Sequence, residues 1–245
     1  MVSRLQESGH SAFVVGGAVR DLLLGVSPKD FDVATSATPE QVIKLFPGAQ
    51  TVGAHFGVVI VRLNHEHVEV ATFRSDGSYS DGRRPDSVTY STPELDAQRR
   101  DFRMNALYAT PDGEVFDPTG GGLDDIQNRR IIFVGDPETR IHEDYLRILR
   151  FFRMHAAYGS GEPDRAGYLA CIAGRAGLAS LSAERVRMEM LKLVVADGAA
   201  PAVQAMADAG LLLSISGGVT YTGPFTAMIA APSSMKASGR SPKAR

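Results

Sequence analysis

The sequence predicts an α/β head with a short mixed β-sheet and flanking helices, followed by an all-α neck. Three observations predict it. Apolar runs at 13–15, 58–63 and 68–73 have strand length and are bounded by turn signals. Helical patterns alternate with them through the first 135 residues. From 136 to 213 every periodic stretch is helical. The expected organisation is therefore a head over 1–135, a neck over 136–213 and a disordered tail over 214–245.

Size and composition are compatible with this. A chain of 245 residues with 44% hydrophobic content can bury one large core or two smaller ones. No apolar run approaches the roughly 18 residues needed to span a membrane. The N-terminus lacks an apolar leader core, so the expectation is a cytoplasmic protein without a membrane partner. Cys171 is the single cysteine, which excludes an internal disulfide and argues against a cysteine-based zinc site. The net charge of −2 argues mildly against a general nucleic-acid binder, yet Arg129, Arg130, Arg140, Arg147, Arg150 and Arg153 crowd one stretch.

Taken in order, Leu5–Phe13 holds the end of a first helix and Phe13-Val14-Val15 is a strand. Gly16-Gly17 turns the chain into a helix over 18–24, and Gly25 caps it. Glycines at that turn let backbone N–H groups approach a phosphate, and Arg20 stands one turn further on. Next comes Lys29-Asp30-Phe31-Asp32-Val33-Ala34. Its alternation reads as a strand with Asp30 and Asp32 on one face and Phe31 and Val33 on the other. Two carboxylates that close repel each other, and a divalent cation between them removes the conflict.

Thr38 is an N-cap and Pro39 a first helical residue, with Val42, Ile43, Leu45 and Phe46 following and Pro47-Gly48 closing the helix. Val58–Leu63 and Val68–Phe73 form a hairpin through Asn64-His65-Glu66-His67. Glu69 is either an outward strand residue or a third carboxylate beside the aspartate pair. His65 and His67 read as a solvated turn. Residues 74–93 are polar and Gly-rich and predict a long loop. Arg99-Arg100-Asp101-Phe102-Arg103-Met104-Asn105-Ala106 precedes a strand at 115–116 and the Asp117–Gly122 loop.

The neck opens with a helix expected over 141–158, in which Asp144, Arg147, Arg150 and Arg153 recur every third position. A carboxylate accepts from the exocyclic amine of cytosine or adenine, and a guanidinium donates to the ring acceptor beside it. Uracil and guanine present a carbonyl where the carboxylate needs a donor. The alternative is a salt-bridge ladder along the helix surface. Ser182 caps a later helix that contains Glu184 and Arg185, both expected to be structural.

Gly-Gly-x-Val-Arg-Asp with Asp-x-Asp ten residues beyond its arginine, then Arg-Arg-Asp-Phe, then Glu-Asp-x-x-Arg, resembles the head and neck of the class II tRNA nucleotidyltransferase (CCA-adding) and bacterial poly(A) polymerase family. Arg103 stands where that family has threonine. The resemblance implies a nucleotidyltransferase fold and Mg²⁺ held by Asp30 and Asp32, with Asp101 or Glu69 completing the catalytic carboxylates. It implies nucleotide binding by Gly16, Gly17, Arg20, Arg100, Asp144, Arg147, Arg150 and Arg153. The implied partners are ATP, CTP and the 3′ end of an RNA, with tRNA as the leading RNA. CCA addition leads, poly(A) addition is the first alternative, and an inactive nucleotide- or RNA-binding module is the second. The composition leaves the oligomeric state open.

Overall fold

The computed structural model describes residues 1–52, 57–63, 66–79, 85–218 and 221–230. The chain begins with α1 (Val2–Glu7), β1 (Ala12–Val15), α2 (Gly17–Leu23) and β2 (Asp32–Thr35). It continues with α3 (Pro39–Leu45), β3 (Gln50–Thr51), β4 (Val58–Leu63) and β5 (Glu66–Thr72). The α3 start follows from its residues: Thr38 accepts from the Gln41 N–H, the Gln41 side chain returns to the Thr38 N–H at 2.8 Å, and Pro39 occupies the first turn.

β6 (Arg74–Asp76) and β7 (Val88–Tyr90) form a separate hairpin, followed by α4 (Pro93–Gln98), β8 (Tyr108–Ala109), β9 (Val115–Phe116) and α5 (Gly122–Gln127). Residues 74–93 are thus not one long loop; their ends pair across Ser75 and Thr89. Ser80–Arg84 and His65 lie outside the described residues. His67, expected in a turn, sits in β5 opposite Arg62.

The main sheet runs β3-β4-β5-β2-β1-β8-β9, with β2 and β5 parallel and the other pairs antiparallel. One face is covered by α1 and α3, where Val33, Val59, Val61 and Val70 pack on Val2, Leu5, Val42 and Phe46. The other carries Val15, Ala34, Phe73 and Tyr108. β2 starts at Asp32, so Asp30 precedes the strand. Phe31 is 42% exposed and does not join the core as its alternation implied.

The helical half comprises α6 (Pro137–Glu143), α7 (Leu146–Tyr158), α8 (Arg165–Ala173), α9 (Ala183–Val194), α10 (Ala199–Asp208), α11 (Leu211–Ser216) and α12 (Gly223–Ala230). The expected helix over 141–158 is two helices. Asp144 between them is extended, at φ −155° and ψ 107°. Part of the stretch expected as a tail from 214 is helical. α11 continues to Ser216 and α12 follows, tied by Thr222 Oγ1 donating to Gln204 at 2.8 Å and by Phe225 against the core. Residues 231–245 lie outside the described residues.

The largest apolar cluster joins the two halves. Phe102, Met104 and Leu107 of the head pack with Phe133, Ile141, Ile148, Phe151 and Phe152. Phe133 and Phe151 stack with centroids 5.5 Å apart. This shared core fixes the neck against the sheet face that carries the acids.

Candidate active site

The parallel β2–β5 register sets Glu69 directly beside Asp32, on the face opposite Val33 and Val70. This is the long-range pairing that the local pattern of Glu69 left open. Asp30, Asp32 and Glu69 make no ion pair among the described residues. Burial, then Glu69, then Asp30 push the Asp32 carboxyl up from its ordinary range, and only Arg100 opposes them. Such a group of hard oxygen donors suits a hard divalent cation. No three or more potential ligands converge on a closed metal site among the described residues.

A cavity of about 450 Å³ opens from Asp32 toward the neck. Gly16, Gly17, Arg20 and Arg100 line its head side; Asp144, Arg147, Arg150, Arg153 and Arg185 line its neck side. Gly16 has φ +73°, and a side chain there would stand 3.2 Å from Arg100 Nη1. The glycine turn therefore keeps the guanidinium and the backbone in close approach. Asp32 and the acid–arginine pair of the neck thus border one cavity, and Asp30 lines a second one that also reaches Asp32.

Each cavity arginine is held. Arg20 is buried, donating to Asp21 at 2.7 Å, to Asn105 Oδ1 at 2.6 Å and to the Tyr158 hydroxyl at 2.7 Å, with its guanidinium 3.9 Å from the Tyr158 ring centre. Arg147 donates to the carbonyls of Arg140 (2.8 Å) and Arg99 (3.2 Å) and pairs with Glu143. Asp144 accepts from the Leu146 N–H at 3.0 Å and from Arg185 at 2.6 Å. Its extended backbone and its tie to α9 remove it from any α7 surface ladder. Arg153 pairs with Glu189 at 2.5 Å.

Asp101 lines the cavity but differs from Asp32. Its oxygens accept from Arg150 Nε (2.8 Å) and Nη2, from Asn105 (3.2 Å) and from its neighbouring Phe102 N–H (2.8 Å). Burial alone would push its carboxyl up. The Arg150 guanidinium and these hydrogen bonds outweigh burial and bring it to about 2. A carboxylate so fully used anchors Arg150, whereas Glu69 stands beside Asp32 across the β2–β5 pair.

Two contributors escaped the sequence reading. Arg185, expected to be structural, lines the cavity and orients Asp144. Asp96 holds Arg99 and Arg100; its spacing of three and four from them was the available signal. Arg103 lies away from the cavity. It makes a two-pronged pair with buried Asp125 at 2.7 Å on each arm and packs closely on Gly121. Asp117, in the loop after β9, accepts from the Gly122 N–H at 2.8 Å and from Thr119.

Residues 12–132 match the model of the poly A polymerase head domain, and residues 170–216 match that of the probable RNA and SrmB-binding site of polymerase A. The chain is 43% identical over 214 residues to the CCA-adding enzyme of Geobacillus sp. (strain WCH70), covering 87% of this chain and 52% of the relative. It is 43% identical over 213 residues to that of Geobacillus stearothermophilus, covering 86% and 52%. The chain spans about half the length of the curated relatives it matches. The crystal structure of Bacillus stearothermophilus CCA-adding enzyme in complex with CTP superposes with a TM-score of 0.80 at 36% identity, covering 94% of this chain and 54% of that one. Thermotoga maritima CCA-adding enzyme complexed with tRNA shares the fold at a TM-score of 0.73 and 22% identity, covering 93% and 53%. On its motifs, its cleft and these relatives together, the chain belongs to the class II tRNA nucleotidyltransferase and bacterial poly(A) polymerase family, with the family's head and neck.

Proposed function

We propose that this chain forms the catalytic half of an enzyme that adds CMP and AMP to the 3′ end of tRNA. The single observation that carries the proposal is the position of Asp32 where two cavities meet. One is the arginine-lined cavity that ends at Asp144 and Arg147. The other, of about 500 Å³, is lined by Lys29, Asp30, Asp32, Arg153, Tyr158 and Lys192. Two substrates that must meet at one reacting centre need two such approaches.

In this reading Asp144 accepts from the exocyclic amine of cytosine or adenine, and Arg147 donates to the adjoining ring acceptor. Arg20 and Arg100, with the Gly16-Gly17 turn, receive the triphosphate. The RNA 3′ end enters the second cavity over Lys29 and Lys192. Its 3′-oxygen forms a bond to the α-phosphorus as the bond to pyrophosphate breaks. Asp30 and Asp32, with Glu69 alongside, would hold Mg²⁺, which supplies hydroxyl activation and charge stabilisation. The protein's own contribution is position and preorganised charge.

The relatives named as CCA-adding enzymes, one of them crystallised with CTP, support this reading. The second reading is poly(A) addition, favoured by Pro28-Lys29-Asp30-Phe31-Asp32-Val33-Ala34-Thr35, which is reminiscent of the polymerase branch. Incubation with tRNA lacking its CCA end and labelled CTP separates the two. Incorporation of CMP that disappears in Asp30→Ala supports CCA addition; AMP incorporation without CMP supports the alternative; no incorporation of either overturns both.

A further inference from the structure

Asp96 lines neither the arginine-lined cavity nor the smaller one beside Asp32 and Glu69, yet it holds the arginines that line them. It lies on α4 with 0% exposure. Its Oδ1 accepts from Arg99 at 2.8 and 2.9 Å and from the Arg74 backbone N–H at 3.3 Å. Its Oδ2 accepts from the Tyr108 hydroxyl at 2.6 Å and from Arg100 Nη2 at 3.1 Å. A carboxylate buried so completely is tolerated only when paired and hydrogen-bonded. Here one negative charge faces two guanidinium groups, so the cluster keeps a net positive charge.

That surplus is aimed at the cleft. Arg100 lines both the nucleotide cavity and a smaller one beside Asp32 and Glu69, which Arg99 also borders. Tyr108 holds Arg100 Nε at 3.3 Å and lies under the guanidinium, 5.3 Å from ring centre to carbon. Among the described residues the Nη1 edge has only a long contact of 3.5 Å to the Asn105 carbonyl, and it faces the Gly16 turn. We infer that Asp96 is a positioning residue for the triphosphate: it orients Arg100 toward the phosphates of either nucleotide without reading the base. The inference rests on the cleft being a nucleoside triphosphate site.

Asp96→Asn tests it, since asparagine keeps the shape and one acceptor but loses the charge. The expected result is KM for ATP and for CTP raised by the same factor, about tenfold, with kcat within about twofold and the ATP-to-CTP preference unchanged. Competition by inorganic tripolyphosphate should weaken by that same factor, while AMP and CMP bind as before. Wild-type KM and tripolyphosphate affinity in the variant overturn the inference. So does an equal loss for AMP and CMP, which is general collapse of the pocket. If Asp96→Asn does not fold, Tyr108→Phe carries the test, because it removes one hydroxyl that Asp96 and Arg100 share. It should weaken tripolyphosphate by about threefold, and unchanged affinity sinks the inference. A wild-type chain that binds neither ATP nor CTP defeats the nucleotide reading itself. Normal wild-type binding beside an indifferent variant defeats only the role of Asp96.

Discussion

The two ends of the cleft handle negative charge in opposite ways. At the sheet end, Asp30, Asp32 and Glu69 stand together with no ion pair among the described residues, and Asp32 is pushed up from its ordinary range. At the neck end, Asp101, Asp144 and Glu189 are each bound by an arginine, and Asp101 is pulled down to about 2. In the first set, burial first and the neighbouring carboxylates second disfavour the charged form of Asp32. The second is already neutralised and serves to aim side chains. In the proposed reading the uncompensated acids are where the chemistry takes place, and the compensated ones build the scaffold around it.

The sharpest way to break this comparison is Asp32→Ala. It should lower nucleotide incorporation by about 10³-fold or more, since it removes a group proposed to hold the metal. It should also leave thermal stability unchanged or slightly raised, because a like charge beside Glu69 is gone. A melting curve run with the incorporation assay checks both. A variant that unfolds, or one that keeps its turnover, means that the sheet-end acids are structural.

Arg185→Ala probes the opposite end. Asp144 keeps its bond to the Leu146 N–H but loses the guanidinium that fixes its second oxygen. Its carboxylate can then rotate, so kcat/KM for CTP and ATP should fall by about tenfold to a hundredfold, with discrimination against UTP and GTP loosened. Incorporation measured with each of the four nucleotides reads this directly. A uniform fall with selectivity intact confines Arg185 to holding the fold.

These two ends were not equally legible in the sequence. The glycine turn and the Asp-x-Asp string are short and contiguous, so local rules could read them, though the strand begins only at Asp32; Arg100 was singled out through the family resemblance. Glu69 was ambiguous because its position beside Asp32 comes from a parallel pairing between strands far apart in the sequence, which alternation within one strand cannot reveal. The break at Asp144 was missed because Glu143-Asp144-Tyr145 contains no glycine or proline. The interruption goes with two bonds of the Asp144 carboxylate, one from Arg185 on α9 and one from the Leu146 N–H at the start of α7. Asp96 looks like an ordinary polar residue of a short helix until Tyr108 and Arg74 close over it. Arg103, which looked like a departure at the site, turned out to serve Asp125 on its far side.

Asp101 gives the comparison a pH signature. Its folded pKa lies below the value of about 3.9 for an unfolded aspartate, so the folded state favours the ionised form. The stabilisation is therefore complete above about pH 4 and disappears as pH falls through about 2, amounting to about 2 kcal/mol when fully present. Urea unfolding of the wild type and Asp101→Asn at several pH values should show a gap that is constant from pH 5 to 7. The gap should narrow in the acid. One that stays constant down to pH 2 shows that Arg150 is held by something other than this charge.

The smallest effect tests whether the arginine end is positioned by aromatic faces as well as by carboxylates. Tyr158→Phe removes the hydroxyl that accepts from Arg20 at 2.7 Å but keeps the ring 3.9 Å from the guanidinium. Asp21 and Asn105 still hold the group, and the stacked face retains its attraction for the cation. The loss should be about 1 kcal/mol or less in stability, with at most a few-fold rise in KM. Tyr158→Ala removes the face too and should cost more on both counts. If the two variants are equally affected, the hydroxyl alone sets Arg20. If neither is affected, Asp21 and Asn105 suffice, and the end of α7 contributes only packing to the site.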